Sequence, residues 1–476
     1  MQSFITLEMD EMEFKKPGLG TEHLVLDTIV DLPLPLSTRS SQAYPGRPFS
    51  KSPALSAQVD YYPDGGPAAW GVLFGATCAI FATLGIVNSW GVFQTYYQQN
   101  LLRDTKSSTI ASIGSVQLAF VFFPGLFAGR LCDLGYYRQT LFIASLTLVG
   151  ATAATAQCKE FWQLLLCQGF LTGLSCGMIF TPIPSVLSHW FKKRMSLAFG
   201  ISTTGASIGG AAVSIGSSHL LERIGYQWTM RVIALTVFCL LAVANLVTIV
   251  PLASLRNCSW ISPLQTLKRR LPPPKNPGPF FIWDDLRKPA FTVYIIACAI
   301  NYLGLFTVFA YIDLSALAIG ISPGFSFYLV AIVNGAACVG QILAGFMSDQ
   351  IGAINVTVPM TVGCAAMTFF WPFATTKMWL IIIAIIYGFC NGAYVSLIPA
   401  PLVLMGEVNS AGRRTGIAGS TIALGAGCGL PIAGAIMQSA GGFKPAGYYS
   451  GSCIVVAAIL QCVTKYLMRG TLRGKF

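Results

Sequence analysis

From Trp70 almost to the C-terminus, windows of about 20 predominantly apolar residues recur twelve times, each long enough to cross a hydrocarbon core of roughly 30 Å. No other feature constrains the fold as strongly. In lipid every backbone N–H and C=O must be satisfied without water, so uninterrupted apolar windows of this length are read as helices. They fall at about 70–90, 108–127, 139–157, 161–187, 196–218, 230–252, 290–312, 325–347, 354–374, 378–402, 414–437 and 446–467. Of the residues, 54% are hydrophobic and 10% charged, against roughly 25% charged in a soluble domain, so water-soluble packing is excluded as the starting assumption.

The net charge of +12 invites a nucleic-acid reading, and the position of the cations rejects it. With the N-terminus placed in the cytoplasm, 23 of the 30 Lys and Arg fall on the inner side and 7 on the outer side, as the positive-inside rule requires. Both termini are therefore expected in the cytoplasm, with the basic residues facing anionic lipid headgroups. Two glycosylation sequons, Asn257-Cys258-Ser259 and Asn355-Val356-Thr357, fall on that inner side and are expected to be unused. The 14 cysteines include no C-x-x-C pair and no His and Cys cluster with ligand spacing, so they read as small packing residues, and no metal or cofactor is implied.

The chain divides into residues 1–60, 61–252, 253–290, 291–467 and 468–476. Residues 1–60 mix acidic and apolar residues with Pro and Ser, lack the apolar core of a signal peptide, and read as a disordered, uncleaved cytoplasmic tail. Residues 253–290 hold Lys268-Arg269-Arg270, Pro272-Pro273-Pro274 and Asp284-Asp285, and read as a cytoplasmic linker between two six-span halves. The halves repeat one another. Gly129-Arg130-Leu131-Cys132-Asp133 follows the second span of the first half, with Arg138 beyond it, and Gly345-Phe346-Met347-Ser348-Asp349 follows the second span of the other. A Gly at a span end permits close helix approach, and an Asp in the turn can accept backbone N–H groups, expected here from the start of the next helix.

This pattern resembles the major facilitator superfamily, whose signature between spans two and three is Gly-x-x-x-Asp followed by basic residues. More narrowly, Asp64-Gly65-Gly66-Pro67-Ala68-Ala69-Trp70, Asn88-Ser89-Trp90-Gly91-Val92-Phe93-Gln94 and Trp190-Phe191-Lys192-Lys193-Arg194 with Ala198 and Gly200 are similar to the fungal branch of the monocarboxylate porters. The resemblance covers roughly residues 60–470 and implies an all-α membrane protein with 12 transmembrane helices in two pseudo-symmetric bundles of six, rocking about a central site. The sequence also departs from the family. Leu134 stands where a basic residue follows the loop Asp, and Ala337 and Gln341 stand where animal relatives carry the span-eight Asp and Arg of proton-linked carboxylate binding.

Ionisable groups are scarce at membrane depth, where they are costly and functional by default. All 18 Asp and Glu lie in the tail, loops or span ends, and only Asp313, at the outer end of span seven, could face a cavity, an exposed or helix-end carboxylate being the first expectation for it. His189 and His219 are expected at headgroup level and Arg231 to snorkel to the interface. The spans instead carry neutral polarity. Asn301, Asn334 and Asn391 sit mid-span, with Tyr302, Tyr394 and Gln341 near them and Asn88 in the first half. Each amide needs a partner, whether an interhelical hydrogen bond or a solute in a central cavity, and these seven are the candidate binding residues. Gly169, Gly173, Gly177, Gly205, Gly209, Gly425 and Gly429 give small faces for helix packing, and Pro182 and Pro184 a kink in span four. Gly129, Asp133, Arg138, Gly345, Asp349 and Arg414 are the candidate conformational switch, with Arg413 and Arg414 expected to pair with Asp349 or Glu407.

An intramembrane enzyme needs convergent nucleophile or acid–base groups at depth, which the sequence does not offer. A channel does not explain two equivalent halves, and a seven-span receptor does not fit twelve windows. The expectation is a carrier for a small organic solute, with a monocarboxylate, a vitamin and an exported secondary metabolite as the candidate classes. It would act as a monomer in a bilayer, the plasma membrane first, without nucleic acid; the alternative is a solute sensor that does not transport.

Overall fold

The computed structural model describes residues 64–254, 283–439, 441–471 and 474, and within these it is helical with no strand. The tail at 1–60, the Lys268-Arg269-Arg270 and Pro272-Pro273-Pro274 runs and the Asn257 sequon lie outside the described residues. Ten helices among the described residues are long and apolar enough to cross a membrane.

The twelve spans follow from those ten by two local arguments. Met195–Ser254 is continuous over 60 residues, which at 1.5 Å per residue would reach roughly 90 Å, about three times a hydrocarbon core. It turns back at Gly225, whose φ of 76° is open to glycine, and so supplies spans five and six. Tyr137–Thr155, at 19 residues, is span three. Its threonines make it less apolar than the others, but Thr147, Thr152 and Thr155 donate their hydroxyls to the carbonyls of Ile143, Leu148 and Ala151, so those hydroxyls are satisfied within the helix.

The remaining spans are one (Gly66–Leu101), two (Thr109–Asp133), four (Phe161–Ser188), seven (Pro289–Ala318), eight (Tyr328–Ile351), nine (Ala353–Phe373), ten (Lys377–Leu404), eleven (Val408–Ser439) and twelve (Phe443–Arg469). Span four breaks between Phe180 and Ile183, where Pro182 removes a backbone donor.

The glycine faces pack as the sequence requires. Gly173 and Gly177 meet the backbone of Gln117 and Val121 in span two, Gly205 and Gly209 that of Thr77 and Phe81 in span one, and Gly425 and Gly429 that of Ala299 and Leu303 in span seven. Outward from these seams the surface is apolar, with Phe142, Leu235, Phe238, Phe346, Leu424 and Ile459 all exposed, as a lipid-facing surface demands. The 13 described cysteines are free thiols. At the end of the molecule where span one finishes, Tyr226 donates to the Thr155 carbonyl at 3.0 Å and its hydroxyl lies 3.1 Å from that of Tyr97, tying spans one, three and six.

Candidate functional site: an inter-half latch, a buried polar cluster and a vestibule

Four carboxylates, Asp133, Asp349, Asp285 and Asp64, organise the end of the molecule where span one begins. Asp133, 4% exposed at its side chain, accepts from the backbone N–H groups of Gly412 and Arg413, both at 2.9 Å, and pairs with the Arg413 Nε at 3.2 Å. Asp349 accepts from Ser196 at 2.9 Å and Leu197 at 3.0 Å, and Ser348 donates to Ser196 between hydroxyls at 3.0 Å. The first-turn N–H groups of a helix have no intrahelical partner and sit at the positive end of its dipole, so a carboxylate is the matching acceptor.

The sequence reading placed those N–H groups in the next helix, and the structure corrects this. Each loop Asp reaches the start of a span in the opposite half, Asp133 to span eleven and Asp349 to span five. The next helices begin at Tyr137 and Ala353 without a side-chain cap. Asp133 and Asp349 therefore join the two halves. Their neighbouring glycines allow it: a Cβ at Gly129 would run into the Gly412 carbonyl, and one at Gly345 would stand 2.7 Å from the Ser196 carbonyl.

The expected arginine pairing is also corrected. Arg413, not Arg414, meets a loop carboxylate, and that carboxylate is Asp133. Arg414 is 1% exposed and faces its own half. It donates to the carbonyls of Leu402 (2.7 Å), Val403 (3.2 Å) and Glu407 (2.7 Å) and to the Ser410 hydroxyl (2.6 Å). The Arg414 guanidinium lies 3.8 Å from Asp285, in the short helix Trp283–Leu286 that leads into span seven, and Asp285 also holds Lys288 at 2.6 Å. Arg414 fixes the mouth of span eleven; Arg138 stands at the start of span three with a buried Nε.

Asp64, at the entry to span one, holds the loop that leads into span five. Its backbone N–H donates to Trp190, its carboxylate accepts from the N–H groups of Lys192 (2.6 Å) and Lys193 (2.7 Å), and Trp70 packs edge-on to Phe191 at 5.9 Å. The span-one and span-five signatures noted in the sequence are thus two sides of one contact.

Above the latch the halves stay in contact along two seams. Between spans two and eleven, Leu126 N–H donates to the Ser420 hydroxyl (3.1 Å), which donates to the Phe123 carbonyl (2.9 Å), and Phe122 meets Tyr302 of span seven edge-on at 5.2 Å. Between spans five and eight, Ser207 donates to Gln341 at 3.3 Å. Gln341 is therefore an inter-half contact.

Asn301, Tyr302 and Tyr394 form a buried cluster in the second half: the Tyr394 hydroxyl neighbours Asn301, Tyr302 and the Cys298 thiol. Asn391 lies one turn before Tyr394 on the same helix. No well-formed hydrogen bond within the protein reaches either polar atom of Asn301, the Asn391 side-chain oxygen or the Tyr394 hydroxyl, although Tyr394 stands beside Asn301 and Cys298. Gln117 of span two, which the sequence reading passed over, is buried with both amide atoms in the same condition.

Asn88 and Asn334 belong elsewhere. They line a cavity of about 400 Å³ at the end opposite the latch, between spans one and five of one half and seven and eight of the other. Asn88 donates to the Ala206 carbonyl at 3.4 Å and Asn334 to that of Val330 at 3.0 Å. Asp313, expected first as an exposed or helix-end carboxylate, lines this vestibule. His219 and Glu222 do so too, where headgroup contact had been expected of His219. The signal was present in the sequence: Ser214, Ser218 and Glu222 recur every four residues on one face of span five.

Comparison with known proteins decides what this architecture is. The sequence profile of the Major Facilitator Superfamily matches residues 73–411 and, in a second alignment, 318–471. The chain belongs to the major facilitator superfamily. Among its relatives, MFS transporter asaE of Aspergillus flavus is 34% identical over 395 residues, covering 82% of this chain and 85% of the relative. The Fujikurins efflux protein of Gibberella fujikuroi is 33% identical over 415 residues, covering 86% and 85%. The Aspyridones efflux protein apdF of Emericella nidulans is 29% identical, covering 87% and 81%. Among solved structures, the human organic anion transporter MFSD10 superposes with a TM-score of 0.60 at 14% identity, covering 83% of this chain and 100% of that one. The E. coli fucose:proton symporter FucP does so at 0.59 and 16%, covering 82% and 98%. At those identities the structural matches speak for the fold, and the protein is a multi-pass superfamily transporter with a small-molecule substrate.

Proposed function

We propose that this superfamily member exports an amphipathic organic metabolite by alternating access. The observation that carries the reading is the buried pair Asn301 and Tyr394, with Asn391 one turn before Tyr394 on the same helix: both amide atoms of Asn301, the Asn391 side-chain oxygen and the Tyr394 hydroxyl make no well-formed hydrogen bond. An unpartnered buried polar group costs about 1–3 kcal/mol, and a solute with matching donors and acceptors would recover it. Aromatic surface from Tyr302 and Phe122 beside these groups suits a partly apolar ligand. Neutral amides in place of a fixed cation favour a solute larger than a simple monocarboxylate, although the span-one and span-five signatures keep the chain close to the monocarboxylate porters.

The latch side is the cytoplasmic side in this reading, since 23 of the 30 Lys and Arg fall there, and the vestibule opens outward. The sequon residue Asn355 is consistent with an unglycosylated inner face: its amide donates to the Ile351 (2.6 Å) and Gly474 (2.9 Å) carbonyls and accepts from Lys465. Efflux is favoured over uptake because relatives of similar length are named for the export of aspyridones and fujikurins.

Purified protein in proteoliposomes, given a panel of labelled polyketide-type acids, vitamins and short monocarboxylates, is expected to move an amphipathic member of the panel and to ignore lactate. Stoichiometric binding without flux would favour a solute sensor and defeat the proposal.

A further inference from the structure

We infer that a second cavity, between spans one, five and six on the lipid-facing side of the first half, is a binding site for a sterol. The cavity measures about 140 Å³ and is walled by Phe81 and Ile86 of span one, Val213 and Leu220 of span five, and Ile233 and Val237 of span six. It shares no lining residue with the vestibule, although span five serves both, turning Ser214 and Ser218 to the vestibule and Val213 and Ser217 to the cavity. Val232 and Thr236 line its mouth and are themselves exposed, so the cavity opens on the surface that meets the bilayer.

A change in packing along span five creates this space. Nearer the latch, Gly205 and Gly209 bring span five against the backbone of span one, where a Cβ at Gly209 would stand 2.8 Å from the Phe81 carbonyl. Further along, Gly216 has nothing within 4 Å of its Cβ position. The helices part there and no side chain fills the gap. The lining of an unfilled apolar cavity forfeits dispersion contacts, which an apolar ligand of matching shape restores.

One polar group interrupts the apolar wall. Ser217 is 1% exposed and its hydroxyl makes no hydrogen bond, whereas the adjacent Ser218 returns its hydroxyl to the Ile215 carbonyl at 2.9 Å, the usual arrangement for a helical serine. Its depth follows from the turn at Gly225. Just past that turn Trp228 is exposed with the Arg231 guanidinium over its ring at 4.7 Å, a pairing that belongs at headgroup level. Ser217 and Ile233 hold matching positions on either side of the turn, about one helical turn deeper than Trp228, and from Val232 the cavity runs about 12 Å along span six to Leu240.

The ligand that fits carries a hydroxyl just below the headgroups and a stiff apolar body beneath it. A sterol hydroxyl donates and accepts, so it supplies the partner Ser217 lacks. Ile86, Val213, Val232, Ile233 and Val237 are fixed at χ1, and the groove they form favours a fused-ring body, which has little conformational freedom to lose, over a flexible acyl chain. The volume admits one edge of the rings, and the rest of the molecule stays in the bilayer.

This inference goes beyond the export reading, and its test needs no transported solute. The full chain in phosphatidylcholine nanodiscs is photolabelled with a diazirine-bearing sterol. Labelling is expected to saturate, to fall on residues 212–220 and 232–240, and to be competed by unlabelled sterol roughly three- to tenfold better than by the same ring system without its hydroxyl. Ser217→Ala gives up no hydrogen bond of the protein and should erase that difference between competitors. Gly216→Phe fills the cavity and should lower labelling about tenfold or more, while Gly150→Phe, on span three with nothing within 4 Å, leaves it unchanged. Labelling that never saturates, that survives Gly216→Phe, or that a fatty acid competes as well as a sterol does would overturn the inference, the last by giving the cavity to an acyl chain. A hydroxyl preference that Ser217→Ala leaves intact would do so too. Any of these results leaves the export proposal standing, and absence of transport leaves the sterol site intact.

Discussion

Asp133 and Asp349 each satisfy two backbone N–H groups of a helix in the other half, so their charge does its work across the interface that must open. Exchange for Asn keeps the shape and removes the interaction with the helix dipole and the charge-assisted bonds. A loss of about 1–3 kcal/mol per site is the expected scale, which alters the balance of states by roughly 5- to 150-fold. Asp133→Asn and Asp349→Asn are therefore expected to impair flux while membrane insertion and yield stay normal; wild-type flux in both would remove the latch from the account.

Arg413 and Arg414 separate cleanly. Arg413→Met gives up one partly exposed pair and should behave like Asp133→Asn. Arg414→Met strands three buried carbonyls, at about 1–3 kcal/mol each, while Asp285 keeps Lys288, and should show as lost thermal stability in detergent. Asn301→Leu should do the reverse, leaving stability equal or higher while weakening solute binding, because its amide makes no well-formed hydrogen bond and gives up only its contact with Tyr394.

The repeat singled out both loop carboxylates from the sequence. Their partners were hidden because every helix start offers the same free N–H groups, and nothing in the spacing says which start lies nearest. The same limit divided the candidate binding residues, since Asn88 and Asn334 fall mid-span like Asn301 yet open to a different space.

At the scale of helices, much more was legible. Span boundaries follow hydropathy closely, the fold-back at Gly225 falls in the expected loop, and the glycine faces of spans four, five and eleven meet the spans they pack on. What hydropathy does not encode is irregularity inside a span, such as the π-helical stretch Leu165–Leu171 in span four, where backbone pairing shifts by one residue without a compositional mark. The inter-half seams allow a sharp contrast. Gly129→Val forces a side chain into the Gly412 carbonyl and should abolish flux with insertion intact, as a labelled-solute assay beside a membrane yield would show. Gly150→Val in span three, where nothing lies within 4 Å, should leave flux unchanged.

For the whole molecule, the two halves, their internal repeat and the family match agree on a carrier architecture, with the inter-half carboxylate contacts at one end and the vestibule at the other. The account's central claim is that this architecture moves a solute by exposing one site to each side in turn. Counterflow tests it most directly. Proteoliposomes preloaded with an unlabelled panel solute and diluted into a trace of the labelled compound should show transient accumulation of label above equilibrium, abolished in the Asp133→Asn/Asp349→Asn double variant. Label that binds one-to-one and never overshoots, with or without preloading, would contradict the account.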